Sequence, residues 1–307
     1  MRYFYGAIVV TLCTLFVVWG TAEDTGPTLP ISERGYVKDD LLVSVSWTKE
    51  QLDNSEVLIL DARSEDDYKK GHIKGAISAP WQAFSKMQAA HGEGFTTLLD
   101  KDALNKKFQE IGIDRTKTIV VYANPDAWGE DGRIVWMLRM AGVTNTKMLD
   151  GGLPAWQDAN GTMTTEITTP TVSEIVISEM NDDMLAKTDW IVENRDDLIL
   201  IDTRSTIEWF GATSFGESRG GHITDALHIQ WSDLFNPDDT IKTQAQIEER
   251  MDEAGVSKDD QIVLYCTAGI RSAHMTLVLK MAGYTKAKNY AASIYEWSAK
   301  SDLPMEK

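Results

Sequence analysis

The sequence predicts an α/β fold built twice in tandem, each copy a mainly parallel sheet with helices on both faces. Three observations carry this. Runs that are apolar throughout, "VLIL" (57–60) and "LILI" (198–201), end in Asp, as strands buried on both faces do. Downstream stretches, "RIVWMLRMAG" and "SAHMTLVLKMAG", carry apolar residues at helical spacing and stop at Gly142 and Gly283, as C-capped helices do. The whole pattern then recurs: Asp61 matches Asp202, Tyr122 matches Tyr265 and Trp156 matches Trp297, at separations of 141, 143 and 141 residues. Strand–helix alternation is the mark of α/β layering, and the repeat makes two units of the 307 residues.

Composition excludes some functions. With 43% hydrophobic and 25% charged residues the chain is globular rather than disordered. A net charge of −17 argues against a nucleic-acid partner, which would need clustered Lys and Arg, and gives no electrostatic reason to lie on an anionic membrane. The excess acid is read as a solubility feature. Five scattered His residues form no ligand cluster, so no metal is expected.

Taken in order, the chain opens with Met1-Arg2 and the apolar run "GAIVVTLCTLFVVWG" (6–20), then turns polar. That run suits the core of a signal peptide and falls short of the roughly 20 residues that span a bilayer. Gly20 and Ala22 are small residues at −3 and −1 of a cut after Ala22, so residues 1–22 are expected to direct export to the periplasm, or to anchor the protein if uncut. Leu12 before Cys13 is a poor fit to a lipoprotein site. With the segment removed, Cys266 is the one cysteine left, and an internal disulfide is impossible.

The first copy is read over 36–158. "LILDARSEDDYKKGHIKGAISAPW" (58–81) holds a strand and the turn after it, and "TIVVY" (118–122) is a second buried strand. A polar, Thr-rich linker broken by Pro170 is read over 159–175, with room for an edge strand. Its Asn160-Gly-Thr162 would accept a glycan only in a eukaryotic secretory pathway. The second copy is read over 176–303, with "LILIDTR" (198–204) and "QIVLY" (261–265) as the matching strands.

Cys266 ends the last of these strands, at the sheet edge where open α/β folds bind ligands. In "YCTAGIRSAH" (265–274), Thr267, Ala268, Gly269 and Ile270 lead to Arg271 and a helix starting at about Ser272. Small residues and Gly269 let the loop curl so that several N–H groups face one point, a nest for an anion reinforced by the helix N-terminus. A thiol held there ionises more easily than its reference of about 8.5, and Arg271 adds a fixed positive charge. Inert core packing is the usual fate of a buried cysteine; the combination of strand end, glycine loop, arginine and helix start reads instead as a nucleophile.

On these residues the chain resembles the tandem-domain rhodaneses, the sulfurtransferases of thiosulfate or 3-mercaptopyruvate type. The matching pieces are "D-A-R…G-H-I-x-G-A" (61–76), "D-T-R…G-G-H-I-x-x-A" (202–226) and "Y-C-x-x-G-I-R-S-A-H" (265–274). "NYAASIYEW" (289–297) departs from the family's closing segment, with Ala291, Ala292 and Ile294 where Asp-Gly and Trp are usual. The resemblance implies that Cys266 takes the outer sulfur of a small anionic donor as a persulfide and passes it to cyanide or a thiol, without a cofactor. Thr267, Ala268, Gly269, Ile270, Arg271 and Ser272 would surround the donor, with Arg271 its anionic anchor. An arginine near the donor is also usual in the segment of Arg219, which makes Arg219 a second candidate. Two departures bear on the donor. Thr267 and Ala268 are neutral where thiosulfate-specialised members carry basic residues, and Glu208 stands where some members have a substrate-binding Arg.

The first copy has Ala123 in place of the cysteine, in a loop "ANPDAWGEDGR" (123–133) whose Asp126, Glu130 and Asp131 would repel an anion. It is expected to be non-catalytic and to wall the pocket, with Trp81 and Trp128 as candidates but ordinary packing their default. His72, His222 and the pairs Asp61/Arg63 and Asp202/Arg204 occur in both copies and are read as scaffold, and His274 as packed or solvent-facing. Two rival functions remain. Cysteine phosphatases place five residues between Cys and Arg, against four here, which disfavours them; a sulfur-relay module handing sulfur to a partner protein stays open.

Overall fold

Residues 28–88 and 93–307 are described by the computed structural model; the apolar segment 1–22 lies outside them. The apolar runs become the strands of two sheets. In the first half these are β1 (Leu42–Val43), β2 (Val57–Asp61), β3 (His72–Ile73), β4 (Ile77–Ser78), β5 (Thr118–Tyr122), β6 (Thr146–Leu149) and β7 (Met163–Thr164). The second half has β8 (Leu185–Ala186), β9 (Leu198–Asp202), β10 (His222–Ile223), β11 (Leu227–His228), β12 (Gln261–Tyr265), β13 (Lys288–Tyr290) and β14 (Met305–Glu306). The first sheet runs β1-β6-β5-β2-β4 and the second β8-β13-β12-β9-β11, every pair parallel. These are one topology used twice, with helices flanking each sheet, as the repeat predicts.

Each copy adds a two-stranded antiparallel clip, β3 with β7 and β10 with β14. The clips reach past the expected domain limits: β7 lies inside the segment read as linker, and β14 follows residue 303.

Side-chain alternation along the strands divides the core into three. Ile59, Val120, Tyr122 and Trp156 fill the outer face of the first sheet, and Leu200, Val263, Tyr265 and Trp297 that of the second. Their neighbours Leu60, Val121, Ile201 and Leu264 point the other way, into one cluster shared by both halves. The halves are therefore joined by a continuous apolar core.

The two helices that follow the loops, Glu130–Met140 and Arg271–Met281, pack directly on each other in that shared core. Gly132 makes the approach possible, since a Cβ there would lie 2.5 Å from His274 Cα. Gly132→Ala is expected to destabilise the protein by about 1–3 kcal/mol through overpacking, read as a lower denaturant midpoint. An unchanged midpoint would show that the helix crossing can open to admit a methyl group.

The scaffold motifs behave alike in both copies. Asp61 receives Arg63 at 2.6 Å and Asp202 receives Arg204 at 2.6 Å, all four side chains nearly or fully buried. The same guanidiniums donate to Gly71 O and Gly221 O, both at 2.7 Å, and so tie strand end to glycine turn. His72 bonds Tyr68 O (2.8 Å) and Glu166 O (3.1 Å), and His222 bonds Trp209 O (3.1 Å). Each imidazole stacks on an aromatic ring, Tyr68 or Trp209. Both histidines are structural.

Candidate active site

β12 is paired on both sides and buried beyond its first residue, so its carboxyl end delivers Cys266 to a fixed point at the sheet edge. The backbone then turns tightly. Gly269 has φ +75°, and a Cβ there would meet Ala291 O at 2.3 Å, so both the conformation and the space demand glycine. The turn aims its amides inward: Gly269 N–H donates to Cys266 Sγ at 3.1 Å. The 11-residue helix Arg271–Met281 starts beside it, its positive dipole end toward the sulfur.

The segment 289–297, where the chain departs from the family, braces this loop. Cys266 N–H donates to Ser293 Oγ (3.1 Å), Ile294 N–H to Cys266 O (3.1 Å) and Tyr295 N–H to Thr267 O (3.2 Å). Asn289 donates through Nδ2 to Gly269 O (3.1 Å) and accepts from Ser272 Oγ (2.7 Å). The close approach to Gly269 is made by the Ala291 carbonyl, through the backbone, so the loss of the family's Asp side chain at 291 leaves it in place.

Burial alone would push the Cys266 thiol up. The Arg271 charge, the Ser272 and Ala268 amides and the Ser272 hydroxyl together outweigh burial and hold it below its ordinary value. The Ser272 hydroxyl has one hydrogen, which the sulfur and Asn289 must share. Cys266 is the free cysteine among the described residues and is 1% exposed.

Thr267, Ala268 and Ile270, from the loop that follows Cys266, line a cleft of about 490 Å³ between the two halves; Cys266 itself is not among its lining residues. Trp81, Phe95 and Trp128 from the first half and Phe215 and Tyr295 from the second line its walls. Both Trp81 and Trp128, expected to be ordinary packing, thus face the cleft. Glu130 lines it too, half-buried, its carboxyl raised to about 7 chiefly by loss of water.

Two expected donor contacts take other roles. Arg271 does not stand free for an anion: its guanidinium forks onto Glu208, with Nη1–Oε2 and Nη2–Oε1 both 2.8 Å, over the ring of Trp128 at 4.8 Å. Thr267 Oγ1 donates to the same carboxylate (2.8 Å), as does Ser205 (2.6 Å). Glu208, which stands where some members have a substrate-binding Arg, spends its charge on Arg271. Burial alone would raise its carboxyl; the Arg271 bonds and charge, helped by Ser205 and Thr267, outweigh burial and bring it to about 2. Arg219 is not among the residues that line the cleft. It donates to the carbonyls of Ser298 (2.8 Å), Leu303 (2.9 Å), Trp297 (3.0 Å) and Lys300 (2.7 Å), closing the end of helix Ser293–Ala299.

One residue went unnoticed in the sequence. Arg133, on the first-half helix, is 1% exposed and reaches across to Gly269 O (3.3 Å) and to Thr96 O (2.8 Å). It lies 141 residues before His274, the repeat spacing, so the matched position holds Arg in one copy and His in the other. His274 is packed against Trp231 and Phe235, and burial lowers it to about 3, which keeps it neutral.

The rhodanese-like domain family model matches residues 44–159 and 187–300. The sulfur carrier protein TtuD of Thermus thermophilus is 28% identical over 288 residues, spanning 89% of this chain and 99% of its own. The thiosulfate sulfurtransferase of Azotobacter vinelandii is 28% identical over 269 residues, spanning 87% and 97%. Among solved structures, an anaerobic ergothioneine biosynthesis enzyme from Chlorobium limicola shares the fold at a TM-score of 0.79 and 20% identity, over 88% of this chain and 71% of that one. Two family matches, a duplicated parallel sheet and one cysteine at the second sheet's edge make this chain a tandem-domain member of the rhodanese sulfurtransferase family.

Proposed function

We propose that the protein moves a sulfane sulfur from a small donor to cyanide or a thiol through a persulfide on Cys266. The observation that carries this is the thiol itself, ringed by the amides of a loop whose Thr267, Ala268 and Ile270 line the cleft, and held below its ordinary pKa. With thiosulfate as donor, the thiolate attacks the outer sulfur, the S–S bond to the sulfonate breaks, and sulfite leaves. Cyanide or a thiolate then attacks the outer persulfide sulfur and restores the Cys266 thiolate. Charge and electrons balance in both steps, and ping-pong kinetics follow. Mass spectrometry after donor treatment is expected to show one added sulfur on the Cys266 peptide; unmodified protein after every donor would remove the proposal.

The cleft bears on which donor is preferred. Arg271 is committed to Glu208, and Arg63, which lines the cleft, to Asp61. Five aromatic rings remain, which suit an organic donor better than a bare dianion. In a panel of thiosulfate, 3-mercaptopyruvate and glutathione persulfide, thiosulfate is expected to show the highest KM. A thiosulfate KM below both of the others would reverse this ranking.

A relay to a protein acceptor is the second reading. It is favoured by the similarity to a sulfur carrier and by Phe215 and Met87, 38% and 41% exposed, which also line the cleft. Residues 1–22 support an exported setting, checked by the N-terminus of the mature protein.

A further inference from the structure

Four buried charged groups meet at the sulfur loop, and they balance only in pairs. Arg271 is closed onto Glu208 by two bonds of 2.8 Å. It pulls directly on the sulfur, but its charge is matched by the Glu208 carboxylate it grips, so the ion pair as a whole brings no net charge. Without a further cation, an ionised Cys266 would leave one uncompensated negative charge in a dry interior, which is costly. Arg133 is the remaining cation. No carboxylate among the described residues lies within 4.0 Å of it, its hydrogen bonds go to carbonyls alone, and its guanidinium rests 4.8 Å from the Trp136 ring centre. Burial lowers Arg133 to about 10, still charged at neutral pH, and the Cys266 sulfur is the group that pulls the other way. The two meet through one residue: Gly269 gives its N–H to the sulfur and its carbonyl to Arg133.

We propose that Arg133, supplied by the half that has no thiol, is the cation that balances the charge of the Cys266 sulfur and of the persulfide that follows it. The inference rests on the sulfur-transfer reading. It makes the thiol-less half a working part of the reaction centre, held in register by the Gly132–His274 crossing next to Arg133. Arg133 is a positioning residue. It acts on the reaction through the sulfur and through the Gly269 turn, without touching the donor.

The test is the ionisation midpoint of Cys266 in the full chain, from the ultraviolet absorbance of the thiolate, each protein measured against its own Cys266→Ser counterpart. Arg133→Met and Arg133→Gln are expected to raise the midpoint by half a unit or more, and Arg133→Lys to hold it near the wild-type value. Gln keeps a donor for the carbonyls of Thr96 and Gly269 and loses the charge, whereas Lys keeps the charge and loses the fork. A purely structural role would therefore rank the variants the other way. Should Arg133→Met fail to fold, the Gln and Lys proteins supply the comparison. A one-unit rise cuts the thiolate fraction about tenfold below the midpoint, and part is returned by greater intrinsic nucleophilicity, leaving persulfide formation about threefold slower. Wild-type midpoints in the uncharged variants would overturn the proposal. Persulfide mass is scored on the same samples: its absence from wild type counts against the sulfur-transfer reading alone, because the titration needs no turnover.

Discussion

Cys266→Ser is expected to abolish the added sulfur atom and to lower thiocyanate formation by about 10³-fold or more, with the fold intact. The hydroxyl is nearly the size of the thiol, and the loop that holds it is fixed by bonds to backbone atoms: Ser293 Oγ on the Cys266 amide, and Ile294 N–H on its carbonyl. The serine side chain would ionise far above neutral pH and cannot form a persulfide. Thiocyanate formation at the wild-type rate would place the chemistry elsewhere. The comparison uses the full chain, so Cys13 is present in both proteins and cancels.

Glu208→Ala is the change with the largest expected cost to stability. Glu208 is 2% exposed and holds Arg271, Thr267 and Ser205. Its removal leaves a guanidinium 6% exposed without its carboxylate, a loss of about 3–5 kcal/mol. The same pair sets an acid limit. Glu208 is held at about 2, below the ordinary 4.5, so its contribution to stability is fully present above about pH 4.5 and is lost as pH falls toward 2. At about 1.4 kcal/mol per unit this is roughly 3 kcal/mol. Denaturation profiles of wild type and Glu208→Ala are therefore expected to converge as pH falls through that window, and a constant gap would refute the linkage. Arg271→Ala strands the opposite charge, so its main effect is expected on stability, in place of the selective rise in donor KM that an anion-binding arginine would give.

What the sequence disclosed and what it hid follow from distance along the chain. Strands, helix stops and the duplicated unit are local or periodic signals, and each appears where the pattern placed it. The Cys266 loop is equally local, ten residues that carry their own geometry. The tasks of the charged side chains are not local. Arg271 meets Glu208 from 63 residues away, and Arg219 meets its carbonyls from 78 to 84 residues away. Arg133 meets Gly269 across 136 residues and between the two halves. No spacing rule announces such partners. The repeat did contain a clue: aligning the helices at 141 puts Arg133 opposite His274, the one place where a buried cation replaces a buried neutral ring.

The near-complete enclosure of the Cys266 sulfur has a consequence for when the protein is reactive. An empty thiol 1% exposed offers little to bulky oxidants or to alkylating reagents. A persulfide would place a second sulfur about 2.05 Å beyond the first. The resting thiol is thus shielded by the backbone of the same loop that would carry the added sulfur.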